Sequence, residues 1–449
     1  MDMLPARGYD PHRMNEHHSD SRPAQVQRLV SAVEEADRAV AAGQPADAFL
    51  ARLFRINRNY GSKTRRLISN TVFSYFRWRG WVLDGDAPDY AFSLALAHAL
   101  DADELDPLIA YWSDQPGRSD CVMAPAGGLA LEEKAERLAA MARLDAPPSY
   151  EDLIPKWAVN LLAVPPPTEP DVFRRRVVAS FQERPVVWLR FARTKRELGR
   201  RALADWGYDV APHPILSCAG LTRRAISREH AKHNQTAAFE IQDLASQCVG
   251  LIADPRAGER WWDVCAGAGG KTLHLADLMD GQGEICATEI RRHMLREVER
   301  RARRANVSEM ITAISQDGRR HEAGHVYDGV LLDAPCSGMG TWSRSPDARW
   351  RMSREQVADL TSLQRELLAT AADHVRPGGV LIYAVCTLTA SETLEQVQTL
   401  ERIHPDFTPD AFEHPLTRET VPGQAWIYPW DGPCGGMFVA RWRRKEVKQ

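Results

Sequence analysis

Two thiols and one glycine-rich run are the parts of this 449-residue sequence best suited to chemistry. Cys336 stands in Asp333-Ala334-Pro335-Cys336-Ser337-Gly338, and Cys386 closes the apolar run Val380-Leu381-Ile382-Tyr383-Ala384-Val385. A single cysteine usually behaves as a small buried hydrophobe. Two at the ends of consecutive strand-like runs, one in a proline-stiffened loop beside an aspartate, are hard to explain by packing. They point to thiolate chemistry.

The glycine-rich run is Asp263-Val264-Cys265-Ala266-Gly267-Ala268-Gly269-Gly270-Lys271-Thr272. A phosphate-wrapping GxxxxGK[ST] loop needs glycine six residues before the lysine, where this chain has Cys265, although Gly270-Lys271-Thr272 mimics its end. A dinucleotide GxGxxG loop begun at Gly267 needs glycine at 272 and meets Thr272. Both readings are weakened, and an NTPase survives only if the missing glycine is tolerated. What remains is a short loop that lets a ligand approach the backbone and opens a helix whose N-terminus favours a carboxylate. S-adenosylmethionine, with a carboxylate and an adenosine but no phosphate, fits. Glu289 lies twenty residues beyond Gly269, where an acid accepts bonds from ribose hydroxyls, and Asp317 follows the next strand, where it meets the adenine amino group.

These residues need a sheet to gather them. From about Thr236 strand-like and helix-like runs alternate: Trp261 to Cys265, Lys271 to Met279, Glu284 to Glu289, Arg291 to Ala305, Ile311 to Gln316, Gly329 to Asp333, Arg354 to Val375, Val380 to Cys386 and Glu392 to Ile403. The alternation predicts a doubly wound α/β domain over 236–449 with its ligands at the carboxyl ends of the strands. Capping boxes are expected at Ser353 with Gln356 and at Thr389 with Glu392.

The preceding chain divides by composition. Residues 1–22 are polar, with His12, His17 and His18 but no apolar periodicity, and read as a flexible tail. Residues 23–145 carry apolar side chains at helical spacing and predict an all-helical domain. Its Arg65 to Trp81 stretch mixes arginines with aromatics; a helix with core aromatics and solvated arginines is the simpler account, RNA contact the other. Prolines crowd 146–170, expected to be a linker with a short helix near Trp157. Residues 171–235 predict a small α+β unit, with a strand over Val186 to Phe191, a helix over Lys195 to Trp206 and a further strand from Tyr208 onward. They hold fourteen Lys or Arg against six acids, the footprint of a polyanion partner. Over the whole chain 57 basic and 60 acidic residues nearly cancel, and 44% apolar residues exclude a wholly disordered chain. Eight cysteines without CxxC pairing favour neither zinc nor disulfides, so no metal is expected. No signal segment or membrane run is evident, and a cytoplasmic monomer without a membrane partner is expected.

The chain resembles the Nop/Sun/RsmB family of RNA cytosine-5 methyltransferases. The resemblance is carried by Phe239 to Gln247, Asp263 to Thr272, Asp333 to Gly338, the strand ending in Cys386, Asp431-Gly432 and Gly436 to Arg441. It implies a Rossmann-like class I methyltransferase domain, a small RNA-recognition-like unit over 171–235 and, through Arg65 to Trp81, a NusB-like helical domain. It further implies Cys386 as the nucleophile and Cys336 as the group assisting product release. Asp333 would hold the cytosine edge. Cys265, Ala266, Gly267, Ala268, Gly269, Gly270, Lys271, Glu289, Asp317 and Asp333 would contact S-adenosylmethionine, with Lys271 a candidate for lowering the thiol pKa. The family usually has Ala-Pro where this chain has Gly267-Ala268, and Thr and Ser flanking the second cysteine in place of Val385 and Thr387. The expected reaction is methylation of RNA, ribosomal first and transfer RNA as the alternative. A DNA-type enzyme using Cys336 as nucleophile and a non-catalytic RNA-binding or ribosome assembly factor are the competing readings.

Overall fold

The computed structural model describes residues 22–83, 89–108, 123–227, 230–231, 234, 236–321 and 326–446. Nearly all of the expected 1–22 tail, Cys121, Arg228 and Lys232 lie outside the described residues. The chain forms two compact units, Met1–Ser149 and Tyr150–Gln449.

The described part of the first unit is helical: Arg22–Ala41, Ala46–Ile56, Ser62–Val82, Tyr90–Asp101 and Leu131–Ala142. In the helix Ser62–Val82, Tyr75, Phe76 and Trp78 are buried. Arg77 pairs with Asp101 at 3.0 Å and Arg79 with Asp37 at 2.9 Å. The aromatics are therefore core, and these two arginines cross-link helices, because a cation drawn under the surface needs a partner. Lys63 and Arg66 are the exposed cations of this helix's first turns.

The second unit begins earlier than its composition suggests. The proline-rich stretch is not a free linker: it forms a 3-10 turn, Tyr150–Leu153, and a short helix, Lys156–Val159. Beyond these, Ala163 N donates to Leu388 O and Ala390 N donates to Leu161 O, each at 2.8 Å. Prolines forbid long elements there, but the backbone at Leu161 and Ala163 still finds partners at Ala390 and Leu388. A small antiparallel sheet follows, with β1 (Val187–Phe191), β2 (Ala211–Pro212), β3 (Ala219–Thr222) and β4 (Phe239–Ile241) in the order β2-β3-β1-β4. The expected boundary at 235 thus falls inside this sheet, since β4 lies past it. Part of the basic excess is structural as well. Arg190 is 3% exposed, donating to Gln242 Oε1 at 2.6 Å and to Asp277 at 3.2 Å.

The main sheet contains β5 (Arg260–Asp263), β6 (Glu284–Thr288), β7 (Ile311–Ile314), β8 (Tyr327–Asp333), β9 (Val375–Val385), β10 (Phe407–Pro409), β13 (Gln424–Ile427) and β14 (Met437–Arg444). Between β10 and β13 lies a two-stranded ribbon, β11 (Phe412–Glu413) and β12 (Thr420–Val421). Among the described residues the main order is β10-β14-β9-β8-β5-β6-β7, with β13 on β14; β5 to β9 pair in parallel and β14 runs antiparallel to β9. Alternate side chains enter opposite cores: Trp261, Leu331, Ile382 and Ala384 on one face, Trp262, Val330, Leu332, Leu381 and Tyr383 on the other. Helices Leu244–Ala253 and Gly270–Leu278 contribute Val249 and Leu275 to the first core, while Arg354–Asp373 and Leu394–Ile403 contribute Leu368 and Leu400 to the second. Strand order reverses between β5 and β8, so the loops leaving these strands frame a crevice.

One expected cap forms and one does not. Ser353 and Gln356 make the reciprocal bonds of a capping box. The Thr389 box is absent: its helix starts at Leu394, and Glu392 turns inward to a set of buried donors that outcompete a helix end.

The loop after Cys336 meets the start of β14 backbone to backbone. Gly340 N donates to Cys386 O at 3.0 Å and Gly436 N to Gly340 O at 2.8 Å. A Cβ on Gly340 would collide with the Gly436 carbonyl. Gly340→Ala is expected to destabilise the second unit by about 1–3 kcal/mol through overpacking. Thermal unfolding followed by circular dichroism checks this; an unchanged transition contradicts the contact.

Candidate active site

β8 and β9 carry the reactive residues because their pairing is parallel and in register. Asp333 lies opposite Ala384, and Ala334 N donates to Ala384 O at 2.9 Å, so both chains leave the sheet at the same edge. Each then presents a half-buried cysteine, and Cys336 Sγ stands 3.3 Å from Cys386 Sγ. The spacing allows one S–H to bond the other sulfur. The Cys336 thiol is held above its usual range by the neighbouring Cys386 sulfur and by burial. Cys386 is held below its usual range by its contact with the Cys336 thiol, with Lys271 and Arg344 adding positive potential against burial and Asp333.

Lys271 comes from the first turn of the helix Gly270–Leu278 and reaches Asp333 Oδ2 at 2.6 Å. Burial works against its charge, but Asp333 overrides this and holds the ammonium above its usual range. A fixed cation thus sits at the junction of glycine loop and thiol pair. Arg344, 2.9 Å from Asp243, supplies the second cation; nothing in the spacing of Trp342-Ser343-Arg344 marks it.

A cleft of about 620 Å³ opens beside these groups, lined by Cys265, Ala266, Gly267, Ala268, Gly270, Lys271, Glu289, Asp317, Asp333 and Cys336. Most of the expected ligand-contacting set is therefore assembled around one space. Gly269 is the exception. It caps the helix with φ 82°, and the site of its missing side chain faces Val298 at 3.1 Å, so its work is the turn and close packing of the helix Arg292–Ala305. Cys386 does not line the cleft either and meets it through Cys336. Cys265 lines it, but burial pushes its thiol up, away from reactivity.

The acids of the cleft differ in what they already hold. Glu289 accepts from Gly267 N at 3.0 Å and from Arg291 Nε at 2.8 Å. Burial pushes Glu289 up, yet these bonds leave it below the usual carboxylate range. Asp317 is lowered chiefly by hydrogen bonds from Arg319, which reaches on to Glu366 at 2.8 Å. Asp263 is the contrast. Its Oδ2 accepts from Thr272 Oγ1 at 2.6 Å while Oδ1 is buried without a partner, and burial pushes the carboxyl up to about 7. A ligand cation or N–H group in the cleft would supply the missing donor.

Reading the sequence assigned no site role to Arg291 or to the wall residues Gln242, Ser246, Leu363 and Leu367, although Gln242 and Ser246 lie in the Phe239 to Gln247 stretch that carries the resemblance. Arg291 follows Glu289 by two positions, a signal that could have been read; Gln242 lies just past β4, Ser246 on the helix Leu244–Ala253 and the two leucines on the helix Arg354–Asp373. Glu392 was expected at a helix cap and instead lies against the residues following both cysteines. Among the described residues no group of three or more His, Cys, Asp or Glu is arranged to hold a metal ion, and no helix is long and apolar enough to cross a membrane.

Comparison with known proteins places this arrangement in a family. A family model described as 16S rRNA methyltransferase RsmB/F matches residues 250–443. Ribosomal RNA small subunit methyltransferase B of Salmonella paratyphi A is 31% identical over 301 residues, covering 65% of this chain and 67% of that protein. A probable ribosomal RNA small subunit methyltransferase B of Synechocystis sp. is 34% identical over 213 residues, 46% of this chain, and the chain spans about half (48%) of its length. The crystal structure of PH0851 shares the fold, with a TM-score of 0.70 and 21% identity over 94% of this chain and 99% of that one. With two strand-end thiols beside a glycine-loop cleft and these likenesses, the chain belongs to the RsmB/F methyltransferase family.

Proposed function

We propose that this chain transfers a methyl group from S-adenosylmethionine to carbon 5 of a cytosine in RNA, with ribosomal RNA as the substrate, through a bond between Cys386 and carbon 6 of the base. The observation that carries the reading is the 3.3 Å approach of two thiols, at the ends of adjacent parallel strands, beside the cleft. The names of the ribosomal relatives support the choice of RNA.

The residues present fit the methyl donor. Gly267, Ala268 and Gly270 give close backbone approach, Asp263 Oδ1 offers an unmet acceptor to an ammonium group, and Glu289 and Asp317 stand ready for ribose and adenine once their arginines yield. When bound, the donor supplies a methyl group on a positively charged sulfur.

Carbon 5 of cytosine is a weak nucleophile toward such a methyl. Addition of the Cys386 thiolate to carbon 6 forms a C–S bond and turns carbon 5 into an enamine carbon, whose electron pair takes the methyl group as the sulfur–methyl bond breaks and a neutral thioether leaves. The carbon 5 proton then passes to a base, the C–S bond breaks, and the thiolate and the aromatic ring return. Asp333, with Oδ2 held by Lys271, has Oδ1 to accept from the exocyclic amine of the base. Cys336, next to the C–S bond, assists the elimination. A cytosine paired in a duplex must first be unstacked, so the target is a loop or single-stranded nucleotide.

Cys386→Ala is expected to abolish transfer, whereas Cys336→Ala permits attack and accumulates a covalent RNA adduct. A denaturing gel reads the outcome: a shifted band with Cys386→Ala and none with Cys336→Ala reverses the two roles, and DNA outcompeting RNA as substrate favours the DNA-type reading. Bisulfite mapping of RNA from cells lacking the protein identifies the nucleotide.

Lys271→Met removes a cation that favours the Cys386 thiolate. Because the native thiol is held low, the rate rises with pH through its titration, and losing Lys271 moves that rise to higher pH. The expected loss at pH 7 is roughly 10- to 100-fold, read from initial rates between pH 6 and 9. An unmoved profile would remove Lys271 from this role.

A further inference from the structure

Each cysteine is followed by a hydroxyl residue, Ser337 after Cys336 and Thr387 after Cys386, and both hydroxyl residues end on the same carboxylate. Glu392 is fully buried. Its Oε1 accepts from Ser337 N at 2.8 Å and from Gln364 Nε2 at 3.0 Å. Its Oε2 accepts from Ser337 Oγ at 2.6 Å, Thr389 Oγ1 at 2.7 Å and Thr387 Oγ1 at 3.1 Å. Gln364 Nε2 also donates to Pro335 O at 2.8 Å, and Tyr383 Oη on β9 donates to Glu392 O at 2.7 Å. The network spans the Cys336 loop, the end of β9, the loop beyond it and the helix Arg354–Asp373. Five donors on one carboxylate, taken from both thiol-bearing segments, exceed what a loop needs to stay folded. A buried charge is costly unless so satisfied, and once satisfied it is rigid.

We propose that Glu392 is a positioning residue that fixes the Cys336 loop against the end of β9 and reserves the shared proton of the thiol pair for Cys336, leaving Cys386 as the reactive sulfur. The charges around the pair are distributed accordingly. Glu392 acts on Cys336, which also faces the Tyr383 phenol, whereas Cys386 faces Lys271 and Arg344 together with Asp333. The contact between the two sulfurs is the largest cause of the difference; Glu392 adds to it at Cys336, while at Cys386 the two cations work against burial and Asp333. The inference deepens the reading of the site given above and rests on it for its catalytic meaning. The thiol asymmetry itself needs neither RNA nor methyl donor to be measured.

The test is alkylation of the full chain by iodoacetamide between pH 6 and 9, with Cys336 and Cys386 adducts quantified separately by peptide mass spectrometry. The native protein is expected to react at Cys386 about 10-fold or more faster than at Cys336 at pH 7.5. Glu392→Gln keeps an acceptor for Ser337 N and Gln364 but loses the charge, and is expected to narrow the preference to roughly 3-fold or less. Glu392→Asp keeps the charge and is expected to restore it. Glu392→Gln with the native preference and native melting overturns the proposal, as does equal loss of preference in both variants. Should Glu392→Gln not fold, the single-thiol proteins decide: with Cys386→Ser the remaining Cys336 must titrate at higher pH than Cys386 does with Cys336→Ser, and equal or reversed midpoints overturn it. If the preference is found but no RNA is methylated, the functional reading fails and the role of Glu392 in the thiol pair stands.

Discussion

The in-register parallel pairing of β8 with β9 is the constraint from which the site follows. Side chains alternate faces along a strand, so a slip of one residue would exchange the two cores and turn every strand-end residue to the wrong side. With Asp333 opposite Ala384, the two chains leave the sheet together, and sulfurs fifty residues apart in sequence come within contact. Burial on both faces fixes that register: Leu331 and Ile382 enter one core, Leu332 and Tyr383 the other. Stability and chemistry here are consequences of one hydrophobic pattern.

Electrostatics supply the second layer. Each acid along the cleft except Asp263 is already matched with a cation: Asp333 with Lys271, Glu289 with Arg291, Asp317 with Arg319. A ligand that uses Glu289 or Asp317 therefore exchanges one set of hydrogen bonds for another, and its net affinity is the difference between the two. Asp263 has no ion pair to give up, because its Oδ1 starts without a donor, but burial opposes its charge.

Much of this was legible in the sequence. The thiol pair, the glycine loop, Lys271, Glu289, Asp317 and the strands that carry them could be read from apolar runs and the residues just past them, because a parallel sheet puts strand ends in one place. What was not legible depends on distant partners. Gly269 sits in the motif yet packs on Val298, which only the folded helix pair reveals. Glu392 has the spacing of a helix cap, and local spacing cannot report that Ser337 and Gln364 will be waiting for it. Likewise Arg190 counts as surface charge in any composition, whereas Asp277, on the helix Gly270–Leu278, makes it an internal tie. The arginines near Trp78 misled less, since the aromatics around them already argued for a core.

The stretch that looks like a hinge has a different mechanical meaning. Leu161 and Ala163 bond the backbone at Ala390 and Leu388, a few residues past Cys386, and Leu162 bridges Thr389, one of the donors to Glu392. The segment before the small sheet is thus a strap along the loop that follows Cys386. A catalytic fragment trimmed to begin at residue 171 would leave those amides and carbonyls bare, and the loop that sets the sulfur would lose its outer wall.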